Sequence, residues 1–392
     1  MDGGDGCWDF PADAFAEILL RLPATSRRRL RLVCRHWRAV IDERAPAATP
    51  SEPKPLVYVI RDMGWGSATA SAYVMDDVAS GGRFREVWRG GPDTTGRSYD
   101  TRLVGTCNGL LCLCDNIRPG GAVSLVNPAT GESLALPPLP GSSGRRPQRG
   151  RRWHETYGFV HRPDTGRYAV VHLPCYSDPT GQLDAVRVFT LGEASWRDVP
   201  AAGATSCRLD AGIVGVCGAA YWVTKGSEMV MAFDAERERV APAAPLPVAV
   251  AGNSSSHLTE VRGRLSFVVT IDEPKLARVE VWVLGGGREG PRGWSCRYRV
   301  QVHGAPKASR QQLARPHFGF ERGELVLTSG RKDRESVVFA HRLAGAGKLQ
   351  CCEVRVNERN QGTAVARIKG AHVWTFGYVE TTEPLSVYSR PR

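Results

Sequence analysis

The chain has 392 residues, 42% hydrophobic and 23% charged. That balance fits a soluble globular protein with one or two sizeable cores and excludes a disordered chain. The formal net charge of +12 favours acidic partners in general. Arginine is spread through nearly every segment, however, and does not gather into the single basic face that a nucleic-acid site needs.

The first residues, Met1-Asp2-Gly3-Gly4-Asp5-Gly6, lack the basic stretch and apolar run of a secretory signal. No apolar run approaches a membrane span in length. The expected location is the cytoplasm, the nucleus or both, where the 11 cysteines stay reduced. There is no Cys-x-x-Cys pair, so no zinc site is expected, and the thiols read as small apolar residues.

Residues 8–45 form the first unit. Phe15, Ile18, Leu19 and Leu22 repeat at one helical face. Pro11 stands at the first turn, where proline is tolerated, and Pro23 stops the helix. Thr25 and Ser26 can cap a second helix. Leu30, Val33, Cys34 and Trp37 carry its apolar face, extended by Val40 and Ile41. Residues 46–55 hold Pro46, Pro50, Pro53 and Pro55 and read as a linker. A unit of about 40 residues with no metal or disulfide is rarely stable alone, so it must pack on something else. The linker argues for a partner.

From residue 56 onward the pattern alternates with a period of two. Leu56–Ile60, Leu110–Leu113 and Val186–Phe189 read as strands. Glycine turns punctuate these runs at Gly109, Gly166, Gly218, Gly263, Gly323 and Gly370, with gaps of 57, 52, 45, 60 and 47 residues. Further strands fall between the turns, at Val123–Asn127, Val186–Leu191, Val230–Asp234, Val279–Leu284 and Val337–His341, with partners at Trp196–Val199 and Trp294–Val300. Four strands in roughly 50 residues is the pattern of a propeller blade. The expected fold is a large all-β domain over 56–392, a kelch-like β-propeller of about six blades. Its ring should close where the strand near residue 56 meets Trp374–Tyr378. A β-sandwich is the alternative.

Phe10-Pro11, Ile18-Leu19, Leu22-Pro23 and Leu30-Arg31-Leu32-Val33-Cys34-Arg35-His36-Trp37 together resemble an F-box. Gly105-Thr106-Cys107-Asn108-Gly109-Leu110-Leu111-Cys112, Asn127-Pro128-Ala129-Thr130-Gly131, Gly218-Ala219-Ala220-Tyr221-Trp222 and Val281-Trp282-Val283-Leu284 resemble the F-box-associated domain of plant F-box proteins. The first resemblance implies a three-helix hook that binds the Skp-type adaptor of a cullin–RING ubiquitin ligase. Phe10, Pro11, Ile18, Leu19, Leu22, Pro23, Val33 and Trp37 would form or support that interface. The second implies a target-binding domain. Arg27 and Arg28 stand where the family usually has leucines, which leaves a ligase-independent binding module as the alternative function.

No active site, metal site or cofactor is expected. The chain contains no phosphate-binding glycine loop, no His-Glu-x-x-His and no Gly-x-Ser-x-Gly, and its carboxylates are scattered. His154-Glu155 lacks a second histidine at ligand spacing. Three features read as surface: the arginine-rich loop 142–152, a candidate nuclear-import signal or anion patch; the glycine loop 285–290; and Trp65 and Trp153, candidates for exposed recognition among ten tryptophans.

Overall fold

In the computed structural model, Pro11 precedes α1 (Ala12–Leu20), and its carbonyl accepts the Phe15 N–H at 3.0 Å. Proline at this N-cap position gives up no N–H that the helix needs. Leu19 is fully buried, with Ala16 beside it, against Val40 and Ile41 of α2 (Arg35–Arg44). Phe15 crosses from α1 to Trp37 edge to face, at a ring separation of 4.7 Å. The second helical pattern is interrupted: Val33 lies in a turn whose N–H reaches the Leu30 carbonyl, and α2 begins only at Arg35.

The structure describes residues 11–22, 30, 33, 35–44, 53–64, 67–76, 83–90, 100–142, 152–162, 165–175, 182–205, 207–226, 228–250, 254–272, 276–285, 293–303, 318–320, 325–332, 335–342, 350–355, 363–369 and 371–389. Two helices of the expected three fall within them. Residues 23–29, with Arg27 and Arg28, lie outside the described residues.

The rest is a large all-β propeller domain. Sheet one joins β1 (Lys54–Gly64), β2 (Ser67–Asp76) and β3 (Arg83–Gly90) to the last strand, β25 (Ala371–Tyr378). Leu56 faces Phe376 and Tyr58 faces Trp374, so the two ends of the domain meet where the sequence indicated. Sheet two is β4 (Thr101–Cys107), β5 (Leu110–Asp115), β6 (Ala122–Val126) and β7 (Ser133–Ala135). Sheet three is β8 (Tyr157–His161), β9 (Tyr168–His172), β10 (Gln182–Thr190) and β11 (Arg197–Thr205). Sheet four is β12 (Val214–Val216), β13 (Ala219–Val223), β14 (Met229–Asp234) and β15 (Arg239–Pro245). Sheet five is β16 (Ser254–Val261), β17 (Arg264–Asp272), β18 (Leu276–Gly285) and β19 (Gly293–His303). Sheet six is β20 (Phe318–Phe320), β21 (Leu325–Lys332), β22 (Glu335–Arg342) and β24 (Thr363–Lys369).

The expected repeat is modified at one place. β23 (Gln350–Arg355) pairs in parallel with β19 and gives sheet five a fifth strand. Among the described residues five of the six sheets are regular four-stranded blades, against an expected count of about six, and sheet five departs from the repeat by this added strand. The extra strand covers an edge of β19 that would otherwise present unpaired backbone groups.

Each core lies between neighbouring sheets, as a ring of blades requires. Leu110, Leu125, Tyr157 and Tyr168 join sheets two and three. Trp222 and Phe233 meet Val171 and Val188 between sheets three and four. Both rings of sheet four are fully buried. At 150–250 Å² per aromatic side chain and ~25 cal/mol per Å², each stabilises the fold by about 4–6 kcal/mol before entropy is charged.

Candidate functional site

Two regions could act on partners: the N-terminal helix pair and the axis of the propeller.

On the helix pair, α1 buries Leu19 and turns its neighbours outward. Ile18 is 49% exposed, Leu20 56% and Val33 59%. Val387 is the one other large apolar side chain comparably exposed among the described residues. Single exposed apolar residues are ordinary; here three fall within sixteen residues of one small unit. Pro11 is exposed, and Leu22 and Trp37 are half-buried. Of the eight residues singled out by resemblance, Ile18, Val33 and Pro11 are exposed. Leu19 is occupied inside the pair, and Leu22 and Trp37 are divided between the two roles. Phe10 and Pro23 lie outside the described residues. Leu20 was not anticipated, because it falls off the apolar stripe that the helical period picks out.

At the axis, β25 lies against β4, β4 against β8, β8 against β12 and β12 against β16. These inner strands approach closely because glycine stands where they touch. A Cβ on Gly215 would run into the Phe159 carbonyl, and one on Gly158 would come within 2.8 Å of the Ile213 side chain. Two-residue turns cap the inner hairpins of sheets two, four and five. Asn108 and Gly109 have φ of 45° and 81°, Cys217 and Gly218 46° and 80°, and Arg262 and Gly263 50° and 72°. Both positions of such a turn need positive φ, which explains the glycine at the second.

These turns line a cavity of about 280 Å³, bounded by Cys107, Cys217, Ile213, Thr259, Glu260 and Phe376 among others. The Glu260 carboxylate accepts the Gly263 N–H and has no ion-pair partner among the described residues. Burial pushes its carboxyl above the usual range, against the lowering effect of that one hydrogen bond. The Cys107 thiol is pushed up to about 12, chiefly by burial and further by the charge of Glu260. Cys217 is raised by the same two causes and donates to the Gly263 carbonyl at 3.0 Å. Protonated thiols are poor nucleophiles. Among the described residues, no group of three His, Cys, Asp or Glu side chains is placed to hold a metal ion.

Other anticipated surface features come out differently. Trp153 is 8% exposed and packs in the core between sheets two and three, a correction to its reading as exposed. His154 sits beside Asn116, with Nδ1 3.1 Å from Oδ1. Trp65, residues 143–151 of the arginine-rich loop and residues 286–290 of the glycine loop lie outside the described residues. No described helix is long and apolar enough to cross a membrane.

Comparison with known proteins agrees with this architecture. Residues 93–358 match the F-box associated beta propeller domain, and residues 8–46 match the F-box domain. Among curated proteins the chain is similar to the F-box protein At3g07870 of Arabidopsis thaliana, 25% identical over 363 residues that span 82% of this chain and 79% of that protein. Among solved structures it is similar to a chain of a nidogen/laminin complex (11% identity, TM-score 0.40, covering 83% of this chain and 99% of that one). It is also similar to an auxiliary nutrient binding protein from Bacteroides thetaiotaomicron (9% identity, TM-score 0.38, covering 84% and 92%). Both structural likenesses are too distant to carry an argument. The family matches are not: the chain belongs to the F-box-associated β-propeller family and carries an F-box ahead of the propeller.

Proposed function

We propose that this member of the F-box-associated β-propeller family is the substrate-recognition subunit of an SCF-type cullin–RING ubiquitin ligase, working in the cytoplasm or nucleus. Residues 8–45 dock a Skp-type adaptor, and the propeller over 56–392 holds a target protein. The observation that carries this reading is the order of the two matched domains, an F-box followed by its associated propeller. The exposed Ile18, Leu20 and Val33 supply the adaptor-facing contacts, while Leu19 and Trp37 keep the helices that present them in place. The chain itself makes and breaks no bond. It raises the effective concentration of target lysines near a ubiquitin-charged enzyme.

The test is a pair of surface variants, Ile18→Asp and Val33→Asp, in a binding assay with a purified Skp-type adaptor. Each places a charge at an exposed position, so the fold is kept while apolar contact is lost. The expected result is at least tenfold weaker binding with unchanged circular dichroism. Wild-type affinity in both variants would refute the assignment of the surface.

The second reading, a ligase-independent binding module, is favoured by Arg27 and Arg28. An unpaired arginine buried at an interface costs several kcal/mol, and under that reading no Skp-type adaptor binds at micromolar concentration.

A further inference from the structure

Cys175 and Cys207 stand 32 residues apart in the sequence, with nothing in their spacing to connect them. The fold brings their sulfurs to 2.8 Å. Cys175 follows β9 in a tight turn, its N–H bonded to the Leu173 carbonyl at 2.8 Å. Cys207 lies beyond β11 and bridges to Thr224 at the end of β13. Both pack in the core between sheets three and four, Cys207 at 4% exposure and Cys175 half-buried. Neither is oxidised here. A disulfide has its sulfurs about 2.05 Å apart, so a side-chain adjustment of under about 1 Å joins them. The other described cysteines include Cys107, Cys112 and Cys114, clustered on one hairpin, yet no second pair of them is held sulfur to sulfur.

We propose that Cys175 and Cys207 form an oxidative modification site, a dithiol that closes to a disulfide when it meets a peroxide or a low-molecular-weight disulfide. Cys175, the more accessible sulfur, is the attacking group. The hydrogen bond between the pair, together with burial, holds the Cys207 thiol well above the usual range. With hydrogen peroxide, the Cys175 thiolate takes one oxygen and becomes a sulfenic acid, and the departing hydroxide takes up a proton as water. The Cys207 sulfur then attacks the Cys175 sulfur, gives up its proton and expels a second water. Two thiols and one peroxide give one disulfide and two waters. With an oxidised small thiol, the same two electrons leave as two reduced thiols.

The bond would tie the turn after β9 to the connection that leads from sheet three into β12, which lines the axial cavity through Val214 and Val216. It would close a loop of 32 residues and stiffen the junction of two blades. Cytosolic disulfides in mesophiles are chiefly transient and redox-sensing, and a pair of one buried and one half-buried cysteine suits that use.

The test is peptide mapping of the full-length chain after hydrogen peroxide or oxidised glutathione, with remaining thiols alkylated and no reductant added. Trypsin places Cys175 on residues 168–187 and Cys207 on residues 198–208, and neither peptide holds another cysteine. The expected result is one cross-linked product of these two peptides, with two of the eleven thiols protected from alkylation and both restored by dithiothreitol. Cys175→Ser, at the more exposed position, should fold normally, give no cross-link and lose the oxidation-dependent rise in melting temperature that the wild type shows. The inference is overturned if both peptides stay alkylatable, or if oxidation pairs either cysteine with a different partner. It is also overturned if Cys175→Ser keeps the same oxidation-dependent rise.

Discussion

Replacing His172 with phenylalanine should remove much of the acid sensitivity of the propeller. His172 is 2% exposed on β9, between Tyr157 of β8 and Arg187 of β10, and neither ring nitrogen has a hydrogen-bond partner among the described residues. The Tyr157 ring lies 4.8 Å away. Burial, and then the positive charge of Arg187, hold the imidazole down to about 3 against an ordinary 6.5. The folded chain therefore refuses a proton that the unfolded chain accepts below pH 6.5. Stability is complete above that value and falls as the pH drops, by about 1.36 kcal/mol per pH unit, until the folded group itself titrates. At pH 5 the wild type should have lost about 2 kcal/mol from this residue alone, and near pH 3 roughly 4–5 kcal/mol. Phenylalanine cannot take the proton, and its change in packing is the same at every pH, so it shifts the curve without tilting it. Urea unfolding followed by tryptophan fluorescence at pH 7, 6 and 5 gives both slopes. The variant should gain about 2 kcal/mol on the wild type between pH 7 and pH 5. Parallel curves over that interval would refute the reasoning.

Glu238 gives a second, lower pH window. Arg197 bonds it through two nitrogens at 2.7 and 2.9 Å and Arg162 adds a third contact at 2.8 Å, joining sheets three and four. These partners hold its carboxyl down at about 2, so its contribution is present above pH 4.5 and lost as the pH falls towards 2. With the pair partly screened by solvent, Glu238→Gln should cost about 1–2 kcal/mol at pH 7. The gap to wild type should close below pH 4, and a constant gap in urea titrations would contradict the ion-pair account. Gly215→Ala should destabilise by about 1–3 kcal/mol, because its methyl meets the rigid Phe159 carbonyl. Gly105→Ala, which meets nothing within 4 Å, should be near neutral; equal melting temperatures for the two variants would show that inner-strand spacing is not what Gly215 sets. Leu19→Ala should cost 2–5 kcal/mol within the helix pair, on the scale of buried leucine truncations. It should also weaken adaptor binding with loss of helical signal, whereas Ile18→Asp should weaken binding alone.

Much of this architecture was legible in the sequence because each element carries a local signal. The turns at Gly109, Gly218 and Gly263 show because a two-residue hairpin demands positive φ. The strand after residue 54 and its partner at the C-terminus could be matched because a ring of blades must close. The added strand β23 could not be read, since a parallel pairing with β19 across about fifty residues of intervening chain leaves no periodic trace. The same limit hid Glu260 and the Cys175–Cys207 pair. A carboxylate two residues before a turn looks like any strand end until the fold shows that no described cation faces it. In α1, periodicity placed Ile18 with Leu19 on one face, but the contact with α2 is narrower than the apolar stripe and leaves Ile18 outside.

Under the proposed function, the N-terminal unit is a hook for a Skp-type adaptor. Co-expression of the full-length chain and of a form lacking residues 1–46 with such an adaptor, followed by size-exclusion chromatography, tests it most directly. The adaptor should elute with the full-length chain and separate from the truncated one, while the propeller remains folded in both. If the adaptor separates from both forms, the hook does not function and the chain acts as a binding propeller on its own. If it elutes with both, the propeller carries the adaptor site, and the assignment to Ile18, Leu20 and Val33 is wrong.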